Sequence, residues 1–238
     1  MSSVVLIGLA GLVVFAGAIV QGGAGLGMNL LAAPLLTLID RVLVPVPLLV
    51  ASLLLAAMAM RREHRHIDWR GTGFAVAGRI PGTAVGVLAV ALLPVREFSI
   101  TIGALVLACL VLSVVAWRPR PTPAALLTAG FAGGAMGTAS SIGAPPLALL
   151  YQHKPGPTIR ATLSAYIVFG SCLSLAALAL GGQIGAPELY ASLLLLPFMA
   201  AGFALSGPLR RYLDGGWMRP CLLALAALSA LVLIVRWI

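Results

Sequence analysis

One ungapped offset of 116 positions lays the first half of this 238-residue chain over the second. Phe15-Ala16-Gly17 recurs as Phe131-Ala132-Gly133, Gly27 as Gly143, and Leu31-Ala32 as Leu147-Ala148. Further along, Pro81, Ala84 and Gly86 return as Pro197, Ala200 and Gly202. Leu107-Ala108 and Leu112-Ser113 return as Leu223-Ala224 and Leu228-Ser229. Prolines and glycines shared at a fixed period mark a duplicated structural unit. The fold has to satisfy one plan twice, and in each copy that plan contains a glycine-rich interruption of an apolar segment.

The medium follows from the charge. Asp, Glu, Lys and Arg make up 9% of the residues and apolar types 61%. That is too little charge to cover a soluble domain. Apolar runs of about 20 residues recur, as a hydrocarbon core about 30 Å thick demands. An outer-membrane barrel would instead show short alternating strands. The class is an all-α polytopic membrane protein, placed in the cell's inner (plasma) membrane with the lipid bilayer as its surroundings. The net charge of +9 sits in short loops beside apolar spans, where it sets orientation, so no nucleic-acid partner is expected. Cys109, Cys172 and Cys221 lie in apolar runs without CxxC spacing and read as small core residues. Residues 1–18 have the apolar character of a secretory leader but lack its basic start. They also have a counterpart at 117–134, and so read as a first helix.

Apolar runs fall near 3–20, 28–39, 42–60, 72–93 and 98–117, with a break at 21–27 (QGGAGLG). The second half repeats them near 124–137, 144–151, 159–181, 188–208 and 217–237, with a break at 137–143 (GTASSIG). The repeats are 1–116 and 117–238, together one transport domain, joined by Arg118-Pro119-Arg120-Pro121 as a rigid linker. If each broken segment crosses once, the basic residues divide evenly between the two sides. If each is a hairpin, one side collects Arg61, Arg62, Arg65, Arg70, Arg118, Arg120, Lys154, Arg160, Arg210, Arg211 and Arg219. The other side keeps Arg41, Arg96 and Arg236. That asymmetry is what the positive-inside rule expects. The prediction is an inverted repeat of two halves, each with four long transmembrane helices and a short re-entrant helix after a Gly-rich break. Both termini then lie outside the cytoplasm, an arrangement shared by many secondary transporters.

Backbone polar groups cannot stand bare in lipid, so an unwound segment at membrane depth must be buried in protein or line a wet cavity. Two such segments related by the repeat are expected to meet near the midplane. Each short helix would present its free N–H groups and positive dipole end to the shared space. That arrangement suits an anion. The candidate binding residues are Gln21, Gly22, Gly23, Gly25, Gly27 and Asn29 in the first copy, and Thr138, Ser140, Ser141 and Gly143 in the second. The glycines permit close backbone approach, and the others supply neutral hydrogen-bonding groups. Pro145 fits the first turn of the second short helix.

All six acidic residues (Asp40, Glu63, Asp68, Glu97, Glu188 and Asp214) fall in loops or at helix ends, as do His64, His66 and His153. Cation-coupled carriers place carboxylates within the membrane, so a cation substrate is disfavoured and a small anion fits better. Arg79 is the one basic residue well inside a span. It either meets an anion along the pathway or snorkels to the surface, and the sequence leaves both open. The stretch 61–70 (RREHRHIDWR) reads as a solvated loop rather than a metal site, and Trp69 and Trp117 as interface anchors. Pro81 and Pro197 are expected to kink matching helices.

The stretches 17–34 (GAIVQGGAGLGMNLLAAP) and 133–146 (GGAMGTASSIGAPP), supported by 160–175 (RATLSAYIVFGSCLSL), resemble the sulfite exporter TauE/SafE family. This family is also called the toluene-sulfonate uptake permeases. The resemblance implies export or uptake of small sulfur-containing anions such as sulfite, sulfonates or sulfoacetate. The family motif carries more glycine in its second copy, where this chain has Thr138, Ala139, Ser140 and Ser141. This departure implies a more strongly hydrogen-bonding second site.

The resulting expectation is a secondary transporter for a small anion held between two broken-helix tips, with an anion channel as the alternative. No cofactor or metal is expected, and no nucleotide motif couples the chain to ATP. Ser140 and Ser141 lack a base at membrane depth, so no enzymatic activity is expected. A homo-oligomer is allowed but not required.

Overall fold

The computed structural model describes residues 3–24, 28–114 and 120–213, with positions 227, 231, 232 and 235 beyond them. All described regular structure is helical. The helices are α1 (Ser3–Ala24), α2 (Met28–Ile39), α3 (Val46–Glu63), α4 (Trp69–Leu92), α5 (Val95–Val114), α6 (Pro123–Ser140), α7 (Pro145–Tyr151), α8 (Gly156–Leu180) and α9 (Ala186–Leu213). Short 3-10 turns occupy Arg41–Leu43 and His64–His66. Gly25, Gly27, Trp117, Cys221 and most of the expected last span lie outside the described residues.

Capping residues set several boundaries. Asp68 starts α4 by accepting a hydrogen bond from the Gly71 N–H at 2.9 Å. Thr122 caps α6, with Pro123 at its first position. Asp40 caps the first 3-10 turn. Four described stretches are long and apolar enough to cross a bilayer: Arg41–His66, Trp69–Leu92, Gly156–Leu180 and Ala186–Ser206. Leu6–Gly22 and Met28–Ile39 are shorter apolar helices.

The 116-residue shift carries over to the elements. Ala24 lands on Ser140, the last residue of α6, Met28 on Ala144, just before α7, and Trp69 on Gly185, just before α9.

The most extensive helix contacts, α4 with α6, α1 with α9 and α3 with α8, all join one half to the other. Small residues explain the first two. On α4, Gly78 and Gly82 lie against the backbone carbonyls of Leu127 and Phe131 of α6. In return Gly130 and Gly134 of α6 lie against the carbonyls of Ala75 and Arg79. Glycines four apart on both partners let the backbones touch, the usual device where apolar burial gives no preference over lipid. The rising numbers on both helices make the pair parallel. Under the repeat this contact corresponds to α9 on α1, where Gly202 lies against the Phe15 carbonyl and Gly11 against the Phe198 ring. The α3–α8 pair is antiparallel, since Glu63 at the end of α3 meets Arg160 near the start of α8.

The short helix α7 packs back against α6. Leu126 at the start of α6 shares an apolar cluster with Leu147, Leu150 and Tyr151 of α7. The Tyr151 hydroxyl donates to Asp68 Oδ2 at 2.7 Å, so α7 ends at the N-terminus of α4. At the far end of α4, Arg41, just past α2, donates to the carbonyls of Val90 and Leu93 at 3.3 and 3.2 Å. Its guanidinium carbon stands 4.6 Å from the centre of the Phe98 ring. The two short helices therefore approach each other from opposite ends of α4. The main core mixes the halves, with Ala10, Val14, Met28 and Leu36 packed in one cluster with Ile142, Leu195 and Met199.

Two expectations need correction. The interruptions are narrower than the sequence predicts. Gln21, Gly22 and Gly23 remain helical in α1, as do Gly137, Thr138, Ala139 and Ser140 in α6. In these turns glycine serves helix contact rather than unwinding, as where Gly22 lies against Ser206 and Phe203. The second break is confined to 141–144, where Ser141 turns left-handed at φ 64° and stops α6. The second correction concerns Cys172, which is exposed on α8 rather than packed in the core.

Candidate functional site

Arg79 lies on α4 beside the second break and is 2% exposed. It does not snorkel. The α4 backbone reaches α6 so closely, through Gly134, that the side chain is carried inward between α6 and α8. Its Nη2 donates to Ser174 Oγ at 3.2 Å. Ser174 Oγ in turn lies 2.7 Å from Thr138 Oγ1. The guanidinium carbon stands 4.9 Å from the centre of the Tyr166 ring, a cation–π contact. Gly137, Gly143 and Gly170 give the rest of the group its room, since a methyl group on any of them would press on the guanidinium.

Two buried polar atoms there lack a hydrogen-bond partner: Arg79 Nε and Thr83 Oγ1. They belong to residues one helical turn apart on α4 and so share a face. Among the described residues no carboxylate pairs with Arg79, whereas Arg160 pairs with Glu63 elsewhere in the molecule. The described acidic residues all sit at helix ends, as expected. Burying a charge is tolerable only when something neutralises it. Here neutral hydroxyls, an aromatic face and glycine backbone surround the guanidinium.

The start of α2 and the end of α6 meet. Asn29, at the start of α2, donates through Nδ2 to the Ser141 carbonyl at 2.6 Å and to Ser52 Oγ at 2.7 Å. Ser52 Oγ donates back to Asn29 Oδ1 at 3.0 Å. Ser141 Oγ donates to the Pro45 carbonyl at 2.9 Å. Ser140 turns inward, donating to the Met136 carbonyl of its own helix at 2.8 Å. These groups are spent on structure. The start of α7 is also a poor anion nest, because Pro145 and Pro146 occupy its first two positions and bring no N–H.

The predicted residues therefore separate. Arg79, Thr138 and Gly143 come together. Asn29 and Ser141 form an adjoining cluster, with Ser140 directed at its own helix. Gln21 and Gly22 stand elsewhere, lining an open crevice with Arg62, Glu63, Arg160 and Phe203. Gly23 continues α1, and Gly25 and Gly27 lie outside the described residues.

Tyr166, Gly170 and Ser174 were not anticipated, nor were Thr83 and Ser52. The first three are spaced by four along α8 and so share one face. That spacing, and the i+4 relation of Thr83 to Arg79, was the available signal.

No group of three or more His, Cys, Asp or Glu side chains suited to a metal occurs among the described residues. Residues 9–233 match the family described as Sulfite exporter TauE/SafE. No curated protein and no solved structure matches the chain.

Proposed function

The chain belongs to the sulfite exporter TauE/SafE family, and from that premise we propose that it is a secondary transporter for a small anion. The substrate is a sulfur oxyanion such as sulfite, a sulfonate or sulfoacetate. The observation that carries this reading is Arg79: a guanidinium 2% exposed, next to a helix break and with no carboxylate partner among the described residues. An intramembrane cation with no protein counter-charge calls for one from solution.

In this reading the halves are an inverted repeat, and each short helix is the returning arm of a re-entrant hairpin. Support comes from the exchanged α4–α6 and α1–α9 contacts and from the antiparallel α3–α8 pair, closed by Glu63 and Arg160. The fold-back of α7 onto the start of α6 adds to it. The loop 61–70 then faces the cytoplasm. Transport proceeds by rocking of cross-half helix pairs about the meeting point of the breaks.

The test is a thermal-shift panel on purified protein with sulfite, thiosulfate, methanesulfonate and acetate, followed by flux in proteoliposomes. A ligand that binds the folded state raises its unfolding midpoint. Stabilisation by sulfur oxyanions, with saturable flux, is expected. No stabilisation by any anion, or unitary channel currents in place of saturable flux, rejects the carrier.

A further inference from the structure

The substrate's charge can be read from what surrounds Arg79, granted the transport reading above. We infer that this site accepts a small oxyanion carrying one negative charge and rejects dianions, so that sulfite is carried as hydrogensulfite.

The argument is a charge count. Arg79 contributes one positive charge, 2% exposed. Every other described basic residue lies at a helix end or in a connecting segment. Ser174, Thr138 and Thr83 offer hydrogen bonds without charge. Arg79 Nε and Thr83 Oγ1 lack partners although both are buried. They present two donors on one face of α4, the number that two oxygens of a single oxyanion accept. A monoanion at these donors leaves the centre neutral. A dianion leaves one uncompensated negative charge in a low-dielectric interior, the situation buried sites avoid.

The repeat offers no second cation to offset that excess. Shifted by 116 positions, Arg79 becomes Leu195 and Thr83 becomes Met199. Both are buried in the main apolar core at 2% and 3% exposure. The repeat-related location is filled with hydrocarbon, so the described residues form one such seat rather than a pair.

Among the described residues no carboxylate, imidazole or amine faces the guanidinium. α4 and α6 face the guanidinium with glycines and threonines, and α8 with Gly170, Ser174 and the Tyr166 phenol. A pH dependence of transport then belongs to the substrate. Sulfite uptake should fall as rising pH strips the proton from hydrogensulfite, whereas uptake of methanesulfonate, a monoanion at every working pH, should stay level.

The experiment uses the full chain in proteoliposomes and in detergent, with methanesulfonate, sulfate and sulfite as probes. Methanesulfonate is expected to raise the unfolding midpoint, with sulfate at least about tenfold weaker in apparent affinity. Arg79→Lys, which keeps the charge, should retain the preference with weaker binding. Arg79→Gln should lose methanesulfonate binding; its folding is checked by size-exclusion chromatography. Sulfate binding as tightly as methanesulfonate overturns the charge rule alone. So does sulfite uptake that holds level or rises with pH. Methanesulfonate binding that survives in folded Arg79→Gln overturns the assignment of the site. Failure of every anion to stabilise the wild type removes the transport reading itself, an outcome distinct from the other three.

Discussion

Asn29 at the start of α2 and Ser141 at the end of α6 are joined by a hydrogen bond of 2.6 Å across 112 residues of sequence. The bond ties the first turn of α2 to the left-handed residue that ends α6. With Ser52, Asn29 also fastens this junction to α3. This junction is thus a hydrogen-bonded polar knot, and Arg79, with no carboxylate partner among the described residues, lies next to it.

Replacing Asn29 by Leu leaves the Ser141 carbonyl and the Ser52 hydroxyl without their partner. Unmaking hydrogen bonds to buried groups costs about 1–3 kcal/mol. The expected result is a lower thermal midpoint, with Asn29→Gln less damaging than Asn29→Leu. A Leu variant as stable as wild type would show that the knot contributes nothing.

The α4–α6 seam makes a sharper prediction. A methyl group on Gly82 collides with the Phe131 backbone carbonyl, which has no soft side chain to yield, whereas Gly73 on the same helix has nothing within 4 Å. Gly82→Ala should destabilise by about 1–3 kcal/mol or more, as overpacking does. Gly73→Ala should be neutral or slightly stabilising, since alanine favours helix. Fluorescence-detected size-exclusion after heating distinguishes the two.

The Arg160–Glu63 pair is two-pronged, with Nε donating to Oε1 and Oε2 at 3.0 and 3.1 Å and Nη2 to Oε1 at 2.8 Å. The two side chains are 30% and 17% exposed, so the pair contributes about 1 kcal/mol or less to stability. Its larger effect should be on access. It clips α3 to α8 at the crevice that also contains Gln21 and Ser164. In a background with the native cysteines replaced, Glu63→Gln should speed modification of Ser164→Cys by a water-soluble thiol reagent. An unchanged rate would mean the pair does not close the crevice.

Asp68 links stability to pH. Burial pushes its carboxyl up, but hydrogen bonds from the Gly71 N–H and the Tyr151 hydroxyl, with Lys154 nearby, outweigh burial and hold it below the ordinary value of 3.8. A carboxylate lowered on folding contributes stability that is complete above the unfolded value and disappears as pH falls through the folded one. Asp68→Ala should therefore cost about 0.5–2 kcal/mol at neutral pH through the lost cap. The gap to wild type should close on acidification below about pH 4. A gap independent of pH would assign the loss to packing alone.

Much of this architecture was legible in the residues. The repeat gave the order of the helices, including a short apolar helix after each glycine-rich stretch. The position of Arg79 inside an apolar run marked it as a centre of interest. What escaped was decided by tertiary contact. Gly137 and Gly22 look like unwinding signals, yet each sits in intact helix because a neighbour needs its bare backbone. Ser140 and Ser141 look like ligand groups, yet their hydroxyls terminate on carbonyls of the chain. Tyr166, Gly170 and Ser174 show their purpose only when α8 is laid against α4, and no local pattern dictates that pairing. The asymmetry between Arg79 and Leu195 could be read from the offset alone. Its meaning depended on seeing which of the two locations is lined with hydroxyls.

The order of synthesis adds a burden that the finished molecule conceals. Arg79 leaves the ribosome with α4, whereas Gly134, Tyr166 and Ser174, which enclose it, are still untranslated. A guanidinium must wait at the insertion machinery, in lipid or at its edge, until α6 and α8 arrive to shelter it. The first half of the protein is consequently unfinished as long as it is alone, and its maturation waits on helices of the second half.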